Sequence, residues 1–114
     1  MPTATGLLAL AAPADAHAAA ATRAGREVGT LPFTTGAVHV HRRGGHVCAV
    51  TLPGRPGPRY AMSVSGQARG NRPVADRGGY THRAGPVTVH AGQRCVWVKG
   101  SVGRGSVSSG RILC

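Results

Sequence analysis

Glycine and proline interrupt this chain at such short intervals that no long regular element can form in most of it. The sequence has 18 glycines and 8 prolines in 114 residues, and such an excess without a collagen repeat indicates many turns. From Gly36 onward apolar and polar residues alternate between these interruptions, as Val38 and Val40 do with His39 and His41. This is the period of a β-strand. We therefore predict an all-β fold, a small antiparallel sandwich or barrel with a disordered N-terminal lead.

The same alternation places the individual strands and turns. The segment 52–58 is excluded from any central strand because proline has no backbone N–H to donate. Residues 73–79 are interpreted as a turn region, and Ala91–Gly92 as the corner of a hairpin. Trp97 is expected in the core, although an outward-facing indole would favour carbohydrate binding. The predicted strands are 37–41, 46–52, 59–65, 80–84, 87–90, 94–99, 105–108 and 111–114.

The first 35 residues differ from the rest. The apolar run Gly6–Pro13 precedes Ala16-His17-Ala18, an A-x-A pattern of the kind that signal peptidase cuts. The run is shorter than the roughly 20 residues that span a bilayer, so we expect a signal peptide over 1–18 and no membrane span. No basic residue precedes the run, so we expect the natural chain to start upstream. We assign 19–35 to a disordered lead and 36–114 to the β-domain; an alanine-rich tail on a cytosolic protein is the alternative.

The charge of the chain is strongly positive. Fourteen basic residues, all but Lys99 arginines, face three acidic ones, giving a formal charge of +11. One explanation is a surface that binds an anionic cell-wall or extracellular polymer; the other is the codon composition of a GC-rich genome. Four aromatic residues are too few for base stacking, so we expect no specific nucleic-acid recognition. The candidate polyanion-binding residues are Arg42, Arg43, Arg55, Arg59, Arg69 and Arg72.

Three cysteines can form only one intramolecular disulfide. We favour Cys95–Cys114, because it would tie down the last strand and would add about 3 kcal/mol on the chain-entropy model. Cys48 would then be a free thiol. Its pairing with either of the other two cysteines remains open. A disulfide would agree with export and a secreted location.

The first hairpin carries a candidate metal site. A turn centred on Arg43-Gly44 would place His41 opposite His46, and His39 opposite Cys48. All four would share the outward face, where they could bind Zn²⁺ or Cu²⁺. The alternative is a solvated polar face, and a register shifted by one residue would disperse the cluster. We expect no resident cofactor, and a metal-binding protein is our second hypothesis.

The sequence has few carboxylates that could act as catalytic acids or bases. Beyond the predicted signal peptide the only carboxylates are Glu27 and Asp76, which argues against paired-carboxylate hydrolysis. No G-x-S-x-G elbow is present. We therefore predict a non-enzymatic binding module of undetermined oligomeric state. A secreted hydrolase that uses Cys48 or a serine as nucleophile is the third alternative.

One part of the chain resembles a known group. The stretch AGPVTVHAGQRCV at 84–96, followed by Gly100 and Cys114, is similar to small secreted proteins of high-GC Gram-positive bacteria. Those proteins have a signal peptide, a short β-rich body and a terminal cysteine. The resemblance covers about the last third of the chain. It implies export and the Cys95–Cys114 pairing, and it implies no activity.

Overall fold

The structure, a computed structural model, describes residues 26–114. It is a sandwich of two four-stranded antiparallel sheets, which confirms the predicted all-β class. Sheet A has the order β1-β2-β3-β6 and sheet B the order β5-β4-β7-β8. The predicted signal peptide 1–18 and residues 19–25 of the predicted lead lie outside the described residues. The strands are β1 Arg26–Phe33, β2 Gly36–Arg43, β3 His46–Pro53, β4 Tyr60–Ala68, β5 Val74–Tyr80, β6 Ala84–His90, β7 Val96–Val102 and β8 Gly105–Ile112.

The core lies between the inner faces of the two sheets. Strict alternation along each strand sends every second side chain inward, and the inward positions are those that carry the small branched residues. Burying them removes apolar surface from water, which is the main stabilising contribution. The side chains at the centre of this core, each no more than 2% exposed, are Val38, Val40, Val47, Ala49, Met62, Val64, Val96 and Val98.

The two sheets approach each other closely at Gly100, in the middle of β7. A Cβ at this position would lie 2.3 Å from Val38 Cγ2 and 2.4 Å from Thr51 Oγ1, both on the facing sheet. The Thr51 hydroxyl also donates a hydrogen bond of 2.9 Å to the carbonyl of Ser63 in β4. Glycine at position 100 therefore sets how tightly the sheets pack.

Two strands occur where the sequence predicts none. β1 lies within the predicted lead, so the β-domain begins at Arg26 rather than Gly36. All of β5 except Tyr80 lies within the predicted turn region 73–79. Both are edge strands, and their inward positions are poorly buried. An edge strand needs little apolar alternation, and β1 is further interrupted by a register shift between Glu27 and Gly29.

The predicted hairpin at Ala91–Gly92 is wrong. β6 pairs with β3, whereas β7 pairs with β4, so the connection 91–95 crosses from sheet A to sheet B. The predicted strand 80–84 is also divided, because Tyr80 ends β5 and Ala84 begins β6. Local alternation shows that a strand exists but not which neighbour it pairs with.

The antiparallel strand directions sort the connections into two ends. One, which we call the disulfide end, consists of 44–45, 69–73 and 91–95; the opposite end consists of 34–35, 54–59, 81–83 and 103–104. At the opposite end Gly54 N donates to Thr35 O at 2.9 Å, and Gly57 N to Thr81 O at 3.0 Å. Residues 26–114 include no helix of the length and hydrophobicity that a bilayer crossing requires.

Candidate anion-binding site

Backbone hydrogen bonds bring the three connections of the disulfide end together. The carbonyl of Gly45 accepts from Ala91 N and Gly92 N, each at 2.9 Å. The carbonyl of Cys95 accepts from Arg69 N, also at 2.9 Å. This end therefore has a defined shape although it is built from turns.

The predicted disulfide is confirmed. Cys95 and Cys114 are bonded, with their Cα atoms 4.1 Å apart, and Cys48 is the free thiol. The bond joins the residue before β7 to the second residue after the end of β8, so it links these two strands at the disulfide end.

The six predicted polyanion-binding arginines do not all lie together. Four belong to the disulfide end, and Arg55 and Arg59 belong to the opposite end. The four come from two separate parts of the sequence, which the fold brings to one place. They are Arg42 and Arg43 at the end of β2, and Arg69 and Arg72 in the connection 69–73.

Two arginines of the disulfide end brace the backbone. Arg42 donates from Nε to Gly44 O at 3.3 Å and from Nη2 to Gly92 O. Arg94 donates to Ala91 O at 3.1 Å, to His90 O at 2.7 Å and to Arg69 O at 3.1 Å. Their charge still contributes to the local field, but much of their donor capacity is used inside the protein.

Three of the four predicted arginines at this end lie at the solvent surface. Arg43, Arg69 and Arg72 are all exposed. Sequence reasoning missed Arg26 and Arg111, which are also exposed and lie at the same end because they pair with Arg42 and Trp97. No sequence signal identifies them, since their positions follow from strand pairing. Arg94 was missed for the same reason.

The two carboxylates of the described residues have other partners. Glu27 accepts from Thr30 Oγ1 at 2.9 Å and lies 3.2 Å from His39 Nδ1. These contacts, the Thr30 hydrogen bond first, lower the pKa of Glu27. Both carboxylate oxygens of Asp76 are hydrogen-bonded, one by the Tyr80 hydroxyl and the other by Gly85 N at 2.8 Å.

The predicted register of the first hairpin is wrong by two residues. The turn consists of Gly44 and Gly45, with Gly44 at a φ of +58°, so Arg43 pairs with His46 and His41 pairs with Cys48. A two-residue shift preserves the face of every side chain. His39, His41, His46 and Cys48 therefore still share the outer face of sheet A, but they occupy three different cross-strand rows.

His41 is the unusual member of this set. Its side chain is buried, and neither ring nitrogen has a hydrogen-bond partner. Nε2 lies 3.6 Å from Glu27 Oε1. Burial lowers the pKa of His41, and the Glu27 charge opposes that effect. Among residues 26–114, no three His, Cys, Asp or Glu side chains are arranged so that they could bind a metal ion together.

The thiol of Cys48 has a threonine as its partner. Its Sγ lies 3.1 Å from Thr88 Oγ1, and His41, directly opposite in the pairing, makes no hydrogen bond to it. A nucleophilic cysteine needs a nearby base that accepts its proton. These two side chains do not form such a pair.

A continuous basic row crosses three strands of sheet A at the disulfide end. Arg43 pairs with His46, and His46 pairs with His90. All three side chains are exposed. The two imidazole rings have centroids 4.8 Å apart, and His90 Nε2 lies 3.2 Å from the Cβ position of Gly45 in the turn. The sequence hypothesis grouped His46 with the other hairpin histidines and left His90 out.

Trp97 is not part of the core, contrary to the expectation from sequence. Val96 and Val98 are fully buried, so the indole between them lies on the outer face of sheet B. It is half-buried there and pairs across the strands with Gln67 and Arg111. An aromatic ring on a polar sheet face can stack on a sugar.

Comparison of the chain with models of known protein families, with curated proteins and with solved structures finds no match.

Proposed function

We propose that this protein is an exported, non-enzymatic β-sandwich that binds anionic cell-wall or extracellular polymers through the arginines of its disulfide end. The observation that carries the proposal is the grouping of four arginines at one end of the sandwich, Arg42 and Arg43 at the end of β2 and Arg69 and Arg72 in the connection 69–73, where hydrogen bonds hold the connections together. Clustered cations raise the local concentration of an anionic chain and supply its binding energy. The Cys95–Cys114 bond supports export, because disulfides persist in oxidising compartments.

The test compares two anionic polymers, dextran sulfate and teichoic acid, with uncharged dextran, which has the backbone of the first without its charge. We expect retention on immobilised dextran sulfate and teichoic acid at low salt, a loss of retention as salt rises, and no retention on uncharged dextran. Replacing Arg43, Arg69 and Arg72 together by glutamine should weaken binding about tenfold near 0.1 M salt. That figure takes about 0.5 kcal/mol for each exposed ion pair.

A charge-matched control separates a site from net charge. Replacing Arg55, Arg59 and Arg104 by glutamine removes the same three charges from the opposite end. We expect this variant to lose clearly less affinity than the disulfide-end variant. Equal losses would assign binding to overall charge and would contradict a localised site. Retention on uncharged dextran at high salt would overturn the charge mechanism and would point to Trp97.

A metal-binding protein remains the second candidate, and one observation favours it. The buried imidazole of His41 has two unpartnered nitrogens, and a carboxylate oxygen of Glu27 is 3.6 Å from one of them. The hypothesis expects stoichiometric Zn²⁺ uptake that disappears in His41→Ala. Uptake that is unchanged in this variant would exclude the cluster.

A further inference from the structure

The outer face of sheet B carries Trp97, the only tryptophan of the chain. It lies in one cross-strand row between Gln67 on β4 and Arg111 on β8. The indole is half-buried against the sheet, and both of its neighbours in the row are polar. An aromatic ring placed in this way presents an apolar surface inside a polar one.

A β-bulge in β8 places Arg111 beside the indole. Lys99 pairs with Ser108. An uninterrupted ladder would therefore pair Trp97 with Gly110, which has no side chain. The register instead shifts by one residue between Trp97 and Lys99, so Trp97 pairs with Arg111. Bulges often re-aim a side chain in this way next to a binding site.

Hydrogen bonds and a glycine stabilise the bulge. Val98 N donates to Oγ of Ser109 at 2.9 Å, and that hydroxyl donates to the carbonyl of Gly110 at 2.6 Å. Gly110 has a φ of +67°, a conformation that costs glycine little. Arg111 is therefore held on the same outer face as Trp97.

The charged residues described on this face are all cations. They are exposed and come from three of the four strands: Arg77, Lys99 and Arg111. Lys99 follows Trp97 by two positions, so about 6.8 Å separates their Cα atoms. A ligand unit stacked on the indole would have Arg111 in its own row and Lys99 in the next.

Neither side-chain carboxylate among residues 26–114 lies on this face. Glu27 belongs to β1 of sheet A. Asp76 accepts from Gly85 N at 2.8 Å, and Gly85 lies in β6 of the facing sheet, so this carboxylate points inward. The charge of the outer face of sheet B therefore favours an anionic ligand.

These features match the two sides of an acidic sugar. One face of a pyranose ring presents C–H groups, which can stack on the apolar surface of an indole. A planar carboxylate on the ring can accept two parallel hydrogen bonds from a guanidinium. The pairing of Trp97 with Arg111 supplies both contacts in one row. An uncharged glycan would use only the first contact, and polyphosphate only the second.

We propose that the outer face of sheet B binds polysaccharides that contain uronate units. Trp97 stacks on one uronate ring, and Arg111 and Lys99 bind the carboxylates of that ring and of its neighbour. This site goes beyond the proposed function, because it requires a sugar ring and lies on a sheet face. The arginines tested at the disulfide end require charge alone.

The first experiment follows the fluorescence of Trp97 while the full chain is titrated with short oligogalacturonates at neutral pH and moderate salt. Because the chain has one tryptophan, its emission reports on this site without any variant. We expect a saturable change in emission with oligogalacturonate. Dextran oligomers of the same length, which have rings without charge, should produce no comparable change.

Variants separate the stacked ring from the charges. Trp97→Ala should weaken oligogalacturonate binding, measured by calorimetry, about tenfold, as the loss of a stacked aromatic does. Lys99→Gln with Arg111→Gln should weaken it about fivefold for the two exposed ion pairs together. The matched control is Arg83→Gln with Arg104→Gln, which removes two exposed charges from the opposite end and should leave the affinity nearly unchanged.

Polyphosphate binding shows whether Trp97→Ala keeps its fold, since we expect this variant to bind polyphosphate as the wild type does. Equal losses for polyphosphate and oligogalacturonate would overturn the stacking, and so would oligogalacturonate binding that leaves the emission unchanged. Binding that is lost on replacing Arg43, Arg69 and Arg72 but unaffected by Trp97→Ala would overturn this inference and leave the proposed function intact. Absence of dextran sulfate binding would instead refute the proposed function alone.

Discussion

Gly100→Ala should be strongly destabilising, whereas the same substitution at Gly66 should not. Both glycines lie on the inner face of sheet B, in neighbouring strands. A methyl group at Gly66 would meet Val89 Cγ1 at 3.7 Å, an ordinary contact. A methyl group at Gly100 would lie 2.3 Å from Val38 Cγ2, so atoms must move by more than 1 Å.

The neighbours of Gly100 cannot easily yield. Val38 and Thr51 are fully buried, and the Thr51 hydroxyl is held by the carbonyl of Ser63. Overpacking of this kind costs about 2–3 kcal/mol in the free energy of unfolding. Gly66→Ala should instead add about 0.5–1 kcal/mol, because alanine restricts the unfolded chain and no positive φ opposes it.

Thermal unfolding followed by circular dichroism measures the difference. A gap of about 3 kcal/mol corresponds to a Tm difference of about 12–24 °C between the two variants for a domain of this size. Val38→Ala should cost less in the Gly100→Ala background than in the wild type, since it removes one of the clashing atoms. Equal Tm values for Gly100→Ala and Gly66→Ala would refute the argument that the sheets touch at Gly100.

Two further predictions concern contacts that tie strands together. Asp76→Ala should lower the free energy of unfolding by about 1–2 kcal/mol, because Gly85 N loses its acceptor. The hydrogen bond from Tyr80, and then that from Gly85, lower the pKa of Asp76. The stabilisation by the ionised Asp76 is therefore present above about pH 4 and is lost as pH falls through the lowered pKa. If the free energy of unfolding fell as steeply with acid in Asp76→Asn as in the wild type, this account would be contradicted. Cys114→Ser should cost about 3 kcal/mol and should make Tm insensitive to reductant, whereas a wild-type Tm unaffected by reductant would argue against the disulfide.

Several parts of the fold were predictable from the residues alone. The alternation in β2 and β3 identifies both strands and their buried faces, and Gly44-Gly45 marks the turn between them. The register was still mispredicted by two residues, because Arg43 was assigned to the turn although it belongs to β2. A shift of two residues leaves the pattern of buried faces unchanged, so only the position of the turn distinguishes the two registers.

The candidate site was predictable only in part. The excess of basic residues predicts a cationic surface. The alternation along β2 and β3 correctly places His39, His41, His46 and Cys48 on one face of the sheet. Nothing in the sequence brings His90 beside His46, because the two residues belong to strands that are not consecutive. Likewise, Arg69 approaches Arg94 only because the connections 69–73 and 91–95 meet at one end.

The sequence by itself determined the all-β class, the alternating core of the central strands and the excess of positive charge, and it favoured the pairing of Cys95 with Cys114 without excluding the others. These properties depend on local periodicity, on residue counts and on the small number of cysteines. Only the tertiary structure decided which arginines share an end, that Trp97 faces outward, and that a basic row crosses three strands. Those relations depend on contacts between residues far apart in sequence, and such contacts are set by packing the two sheets together.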